Sequence, residues 1–174
     1  ASFAMNPTDW IVLKFGGTSV SRRNRWNTIG QLMRKRTQDE KVRVLVVVSA
    51  LSGVTNTLQS IIDQYADRTA VQALVDGLIE KHRAFCLELE IDADKVLSKR
   101  FELLLALVDD TRRDSCELSW QAEVMAQGEL LSSTLGVAYL CTQDMDVRWC
   151  DARDGLKAIV MPHQTAWAQR LSVS

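Results

Sequence analysis

Two short runs of β-branched and aromatic residues, Trp10–Phe15 (WIVLKF) and Arg43–Ala50 (RVLVVVSA), each end in small residues and are separated by a single helical stretch. The second run is apolar at consecutive positions, which suits a strand buried on both faces of a parallel sheet. Two such strands joined through one helix make a βαβ unit with a right-handed crossover. The connecting stretch, Arg22–Arg36, carries Trp26, Ile29, Leu32 and Met33 at helical spacing, with Ser21 as its predicted N-cap. Its first turn holds Arg22, Arg23 and Arg25, where the helix dipole favours acidic side chains by about 0.3–1 kcal/mol each. Solvated surface arginines are the simplest account of that conflict.

Helices dominate the remainder of the chain. Helical periodicity covers Val54–Ala66, Thr69–Glu90 (stripe Val71, Leu74, Leu78, Phe85, Leu89), Asp94–Arg113 and Ser119–Leu140, while Met145–Cys150 alternates as a third strand and the tail after Pro162 is weakly helical. The region from Thr69 to Arg113 is compatible with packing inside the chain, facing solvent or meeting a second subunit in a homo-oligomer. Only 8 Gly and 2 Pro among 174 residues disfavour a turn-rich all-β fold, and that length fits one ordinary domain. The expected class is therefore α/β: a three-layer α/β/α arrangement with a mainly parallel sheet, rich in helix.

A net charge of −1 gives no broad attraction to nucleic acid or to an anionic membrane. No apolar run approaches the roughly 18 residues of a membrane span. Residues 1–10 lack a basic segment followed by an apolar core, and Ala1–Ala4 before Met5 look like the remnant of a tag, so the folded region is expected over 11–174. Cys86, Cys116, Cys141 and Cys150 form no CxxC pair and have no zinc-like histidine spacing. They are expected as buried or half-buried reduced thiols of a cytoplasmic protein, with no metal site. His82 and His163 are expected at the surface, and no GxSxG elbow accompanies either, which argues against a Ser-His-Asp hydrolase.

Three segments carry chemistry. Lys14-Phe15-Gly16-Gly17-Thr18-Ser19 lies at the C-terminal end of the first predicted strand, the edge where ligands bind in open α/β sheets. Glycines let the backbone approach an anion, lysine adds a compact positive charge and hydroxyls add donors, a set suited to nucleotide phosphates. The spacing matches neither the P-loop nor the dinucleotide fingerprint, and a glycine turn with a surface lysine is the alternative. Ser49-Ala50-Leu51-Ser52-Gly53-Val54-Thr55-Asn56 places small polar groups at the end of the second strand and the start of a helix, where free N–H groups suit a carboxylate or phosphate; simple capping by Ser52 or Thr55 is the alternative. In Gln127-Gly128-Glu129-Leu130-Leu131-Ser132-Ser133 a glycine inside a helix costs about 1 kcal/mol against Ala and implies a close approach or a break. Ser132 and Ser133 share the Glu129 face and are within reach to orient its carboxylate; a solvated glutamate beside an accidental glycine is the alternative, and the better one for this segment alone.

Taken together, KFGGTSV (Lys14–Val20), SALSGVTN (Ser49–Asn56) and GELLS (Gly128–Ser132) resemble, in order and approximate spacing, the aspartate kinases of the amino acid kinase family, and WCDARD (Trp149–Asp154) looks like that family's following strand. The resemblance implies transfer of the ATP γ-phosphoryl group to the β-carboxylate of L-aspartate, with ATP and Mg²⁺ as cofactors. It implies that Lys14 contacts the transferring phosphoryl group and that Gly16, Gly17, Thr18 and Ser19 line the phosphate path. Ser49 and Thr55 then hold aspartate, and Glu129 receives its ammonium. Gln127 stands where the family often has His. The resemblance fades after Asp154, and a Gly-Arg-Gly-Gly-Ser-Asp segment and nucleotide-base loops are missing, so residues 11–174 are expected to be the N-terminal, aspartate-binding part of a kinase domain, inactive alone and with an unfinished sheet edge. A kinase of the same fold acting on glutamate, carbamate or a nucleotide, and a non-catalytic binding module, are the alternatives. Whether the chain is fused to a dehydrogenase or decarboxylase is not written in these residues.

Overall fold

Both β-branched runs form strands: β1 spans Trp10–Phe15 and β2 Arg43–Val48, paired in parallel with Ile11 opposite Val44 and Phe15 opposite Val48. A computed structural model describes residues 9–111, 113–151 and 157–161. The leader 1–8, the Ala152–Asp154 end of the WCDARD segment, His163 and the tail after Pro162 lie outside them.

After β1 the chain makes a one-turn helix, α1 (Gly17–Val20), where the glycine pair suggests only a turn. The crossover helix α2 runs Arg23–Asp39, but its N-cap is Arg22 rather than Ser21 and contributes no side-chain cap. The Ser21 hydroxyl is engaged instead by Gly17 and Ser52. Arg22 and Arg25 are exposed as expected, whereas Arg23 is not simply solvated. Its guanidinium lies 3.1 Å from the Glu90 carboxylate and donates to the Glu88 carbonyl at 3.2 Å. It thereby ties the start of α2 to the end of a later helix.

Four helices come after β2: α3 (Val54–Asp63), α4 (Arg68–Glu88), α5 (Ala93–Val108) and α6 (Leu118–Thr142). Asp67 caps α4 by accepting from the Ala70 N–H at 3.0 Å, and Asp92 caps α5 by accepting from Asp94 N–H at 3.0 Å. The stripe of α4 seals Val71, Val75, Leu78, His82, Phe85 and Cys86 inside. His82 is thus fully buried, not at the surface, because the 3–4 spacing that buries Leu78 and Phe85 places position 82 on the same seam. Its Nδ1 meets the Leu78 carbonyl at 2.7 Å, and burial pushes its pKa down. Burial likewise pushes the Cys86 thiol up to about 11. Cys150 is half-buried as expected, while Cys116 and Cys141 are exposed, and all four thiols are free.

Two further strands, β3 (Arg148–Asp151) and β4 (Lys157–Met161), complete a four-stranded sheet in the order β1-β2-β4-β3. The β2–β4 and β4–β3 pairs are both antiparallel. Among the described strands the sheet is therefore mixed rather than mainly parallel, because β4 turns back along β3 and inserts beside β2. The α/β class and the wealth of helix hold. Thr37 of α2 bonds the Met161 sulfur, and Trp149 of β3 donates to Ser133 of α6. Met161 pairs with Val44, and Trp149 pairs through Ile159 with Val46. Directly paired residues share a sheet face, so α2 and α6 cover the same one. Helices α3 and α5 pack on α6, and α4 packs against α3 and α5; the third layer expected from the sequence is not among the described elements. The other face carries Trp10 and Val12, 47% and 52% exposed, with the Arg43 guanidinium 5.5 Å from the Trp10 ring centre. Among the described residues no helix is long and apolar enough to cross a membrane.

Candidate functional site

The three motif segments meet at one small residue, Ala50. Phe15, the last residue of β1, accepts the Ser49 N–H at 2.9 Å, which carries the parallel ladder one step beyond β2 and sets the two strand ends side by side. A Cβ on Gly17 would stand 2.9 Å from the Ala50 carbonyl oxygen, and a Cβ on Gly128 would stand 2.6 Å from the Ala50 methyl. Any side chain at either position would displace the loop that carries Ser49. The close approach predicted at Gly128 is therefore an approach between segments of the protein, and α6 continues through it without a break. Gly16 differs, because nothing lies within 4 Å of its would-be Cβ. Of the glycine pair, Gly16 leaves room for a ligand and Gly17 leaves room for the neighbouring loop.

Around this junction most of the candidate residues face outward. Lys14, Gly16, Thr18, Ser49, Thr55 and Glu129 are exposed, and Ser19 and Gly17 are half-buried. Strand alternation puts Lys14 on the open sheet face with Val12, whereas Glu129 rides on the helix that covers the opposite face. Cation and carboxylate thus flank the strand ends from two sides. Cavities of about 190 Å³ at Trp26 and Met145 and about 410 Å³ at Arg83 and Ile91 lie elsewhere, and the candidate residues line an open surface.

The serines after Glu129 act differently from expectation. Neither holds the carboxylate: Ser133 Oγ donates to the Glu129 backbone carbonyl at 2.6 Å and accepts from Trp149 Nε1 at 2.9 Å, and Ser132 Oγ donates to the Ser49 carbonyl at 2.8 Å. Both hydroxyls lie on the buried side of α6, where main-chain carbonyls are within reach and the exposed Glu129 carboxylate is not. Residues that the motifs did not single out also hold the loop. Ser21 donates to the Gly17 carbonyl and accepts the Ser52 N–H at 2.9 Å, and Lys81 of α4 donates to the Ser52 carbonyl. Nothing local in sequence marks Lys81, which reaches the loop only because α4 packs beside α3.

Lys14, the Gly16 backbone and nearby hydroxyls suit phosphate oxygens, while Glu129 suits an ammonium. Among the described residues no group of three or more His, Cys, Asp or Glu is placed to hold a metal ion. The donors present suit a nucleotide's phosphates, and a Mg²⁺ ion carried by those phosphates needs few protein ligands.

A profile of the amino acid kinase family matches residues 9–171. A bifunctional aspartokinase/homoserine dehydrogenase 1 of Arabidopsis thaliana chloroplasts is 33% identical over 162 residues, covering 86% of this chain and 17% of that protein. An aspartokinase of Chlamydia trachomatis is 31% identical over 168 residues, covering 91% of this chain and 36% of that protein. Among solved structures, Escherichia coli aspartokinase III in complex with aspartate and ADP superposes with a TM-score of 0.54 at 24% identity, covering 83% of this chain and 31% of that one. The chain thus spans between about a sixth and a third of the length of these proteins.

Proposed function

The chain belongs to the amino acid kinase family, and from that premise we propose that it forms the aspartate-binding side of an aspartate kinase. The protein that carries it transfers the γ-phosphoryl group of ATP to the β-carboxylate of L-aspartate in a reducing cytoplasm, giving 4-phospho-L-aspartate. The observation that carries this proposal is the junction at Ala50, which sets a lysine, an unobstructed glycine backbone, two hydroxyl-bearing residues and a carboxylate around the ends of two parallel strands.

The acceptor carboxylate is already anionic, so the chain has to position and neutralise and needs no general base. An oxygen of the β-carboxylate attacks the γ-phosphorus as the bond to the bridging oxygen of ADP breaks. Lys14 stabilises the charge that develops on the phosphoryl oxygens. The Gly16 and Gly17 backbone with Thr18 and Ser19 lines the phosphate path, Ser49 and Thr55 hold the aspartate and Glu129 takes its ammonium. Mg²⁺, entering with the nucleotide, would supply neutralisation of phosphate charge.

The test is acceptor-dependent ADP release by the natural protein carrying this chain, offered aspartate, glutamate, carbamate and a nucleoside monophosphate in turn, with hydroxylamine trapping of the acyl phosphate formed from a carboxylate acceptor. Aspartate is expected to be the turned-over acceptor. Lys14→Ala is expected to lower kcat by about 10²–10³-fold, as removal of one stabilising donor does, and Glu129→Gln to act mainly on the KM for aspartate. Turnover of another acceptor in place of aspartate, or an unchanged kcat in Lys14→Ala, would overturn the proposal.

A further inference from the structure

We propose that Ser132 is a positioning residue, which fixes Ser49 relative to Glu129 through one buried hydrogen bond between α6 and the end of β2. The inference rests on the proposed placement of aspartate between Ser49 and Glu129.

Ser49 is pinned through its main chain on both sides. Its N–H is held by Phe15 of β1 at 2.9 Å and its carbonyl by Ser132 Oγ at 2.8 Å, while its own side chain stays exposed. Ser132 is fully buried; its hydroxyl lies 2.8 Å from the Ser49 carbonyl, a bond that spans 83 residues of sequence, and 3.3 Å from the Glu129 carbonyl one turn back in α6, so the shorter contact is a tertiary tie added to a local one. One residue further along the loop, the Ala50 methyl sits against Gly128, next to Glu129 in sequence. The Ser49 main chain and the Glu129 backbone are therefore joined through a single turn of α6. Packing at Gly128 sets how closely α6 approaches the loop, and the Ser132 bond sets the register. The opposite side of the loop is tied by Ser21 and Lys81, both bonded to the main chain of Ser52. Those ties fix the loop to α1 and α4, and neither reaches the helix that carries Glu129.

A site that must hold a small amino acid gains affinity when its polar groups are set in place before the ligand arrives. Losing the Ser132 hydroxyl leaves every group proposed to touch aspartate intact. It frees the Ser49 carbonyl and loosens the loop against α6. The expected signature is weaker aspartate binding with little change toward nucleotide, because Lys14 and Gly16 stay held by the β1–β2 ladder, whose Phe15–Ser49 bond does not involve the Ser132 hydroxyl.

The experiment uses the natural protein carrying this chain and compares the wild type with Ser132→Ala, Ser132→Cys and, as a control for general destabilisation, Leu97→Ala in the core of α5. Amide hydrogen exchange without ligand is expected to quicken by about tenfold or more at residues 50–52 in Ser132→Ala, with α4 and α5 unchanged. Ser132→Cys, which keeps the shape with a weaker donor, is expected to fall in between and serves alone if the alanine variant does not fold. Leu97→Ala is expected to quicken exchange without favouring the loop. In calorimetric titrations Ser132→Ala is expected to weaken aspartate about tenfold and Mg-ADP by less than about twofold. Unchanged exchange at residues 50–52, or faster exchange spread evenly over all helices, would overturn the positioning role. A natural protein whose Ser132→Ala variant shows the loop effect but which does not bind aspartate would overturn the proposed function while leaving the mechanical tie standing.

Discussion

Gly128 and Gly77 are both helical glycines, yet opposite outcomes are expected when each becomes alanine. At Gly77 nothing lies within 4 Å of the new methyl, so Gly77→Ala should stabilise the protein by about 0.5–1 kcal/mol through helix propensity alone. At Gly128 the methyl would meet Ala50 at 2.6 Å, and overpacking of about 1–3 kcal/mol outweighs the same propensity gain. Urea unfolding of the two variants measures the difference, and a stabilised Gly128→Ala protein would show that the junction at Ala50 yields easily. His82 gives a pH dependence of definite sign. Burial lowers its native pKa below the usual 6.5, so between those two values the unfolded chain binds a proton that the native one does not. Stability is therefore fully present above about pH 6.5 and falls as pH drops through this window, by up to about 1.4 kcal/mol per pH unit. His82→Gln should flatten that slope between pH 7.5 and 5.5, and an identical slope in both proteins would remove His82 as its cause. The sequence hid this burial, because His82 stands among Glu80, Lys81 and Arg83, and only the seam of α4 shows which side position 82 takes.

Strands β1 and β2 were legible in the sequence because β-branched residues run through them and small residues stop them. The four later helices were legible from their apolar stripes, with ends shifted by a few residues where Asp67 and Asp92 cap. Strand β4 was not. Ala158-Ile159-Val160-Met161 is too short a run to announce itself, and its place between β2 and β3 depends on pairing across more than a hundred residues, which no local pattern records. The start of α2 was misplaced by one residue because Ser21 is a good cap by type but spends its hydroxyl on Gly17 and Ser52. That leaves an uncapped helix with an arginine at its N-cap and no acidic residue in its first turn. Arg22→Asp is accordingly expected to raise stability by about 1 kcal/mol through a cap bond and the dipole together, read as a higher melting temperature. No gain would mean that the first turn of α2 already satisfies its N–H groups in another way.

At the scale of the molecule the sheet is one-sided among the described residues. Val46 and Val12 lie on adjacent strands, but Val46 faces α6 and is fully buried whereas Val12 is 52% exposed. Val46→Thr should cost about 1–3 kcal/mol by burying a hydroxyl, and Val12→Thr should stay within about 0.5 kcal/mol. Equal losses in denaturant melts would place a covering layer on the Val12 face. The candidate site was legible as three motifs in order. What their order could not convey is that Gly17 and Gly128 both make room for the loop at Ala50, whereas Gly16 has open space beside it. This division has a consequence for lineages. Gly17, Ala50 and Gly128 are coupled by volume, so each constrains the others whether or not the protein still works. Lys14 and Glu129 are exposed, and what constrains them is the function proposed for them. In a descendant that had abandoned catalysis, the glycines would persist while the lysine and the glutamate drifted, and a search keyed on the glycines alone would still count it as an enzyme.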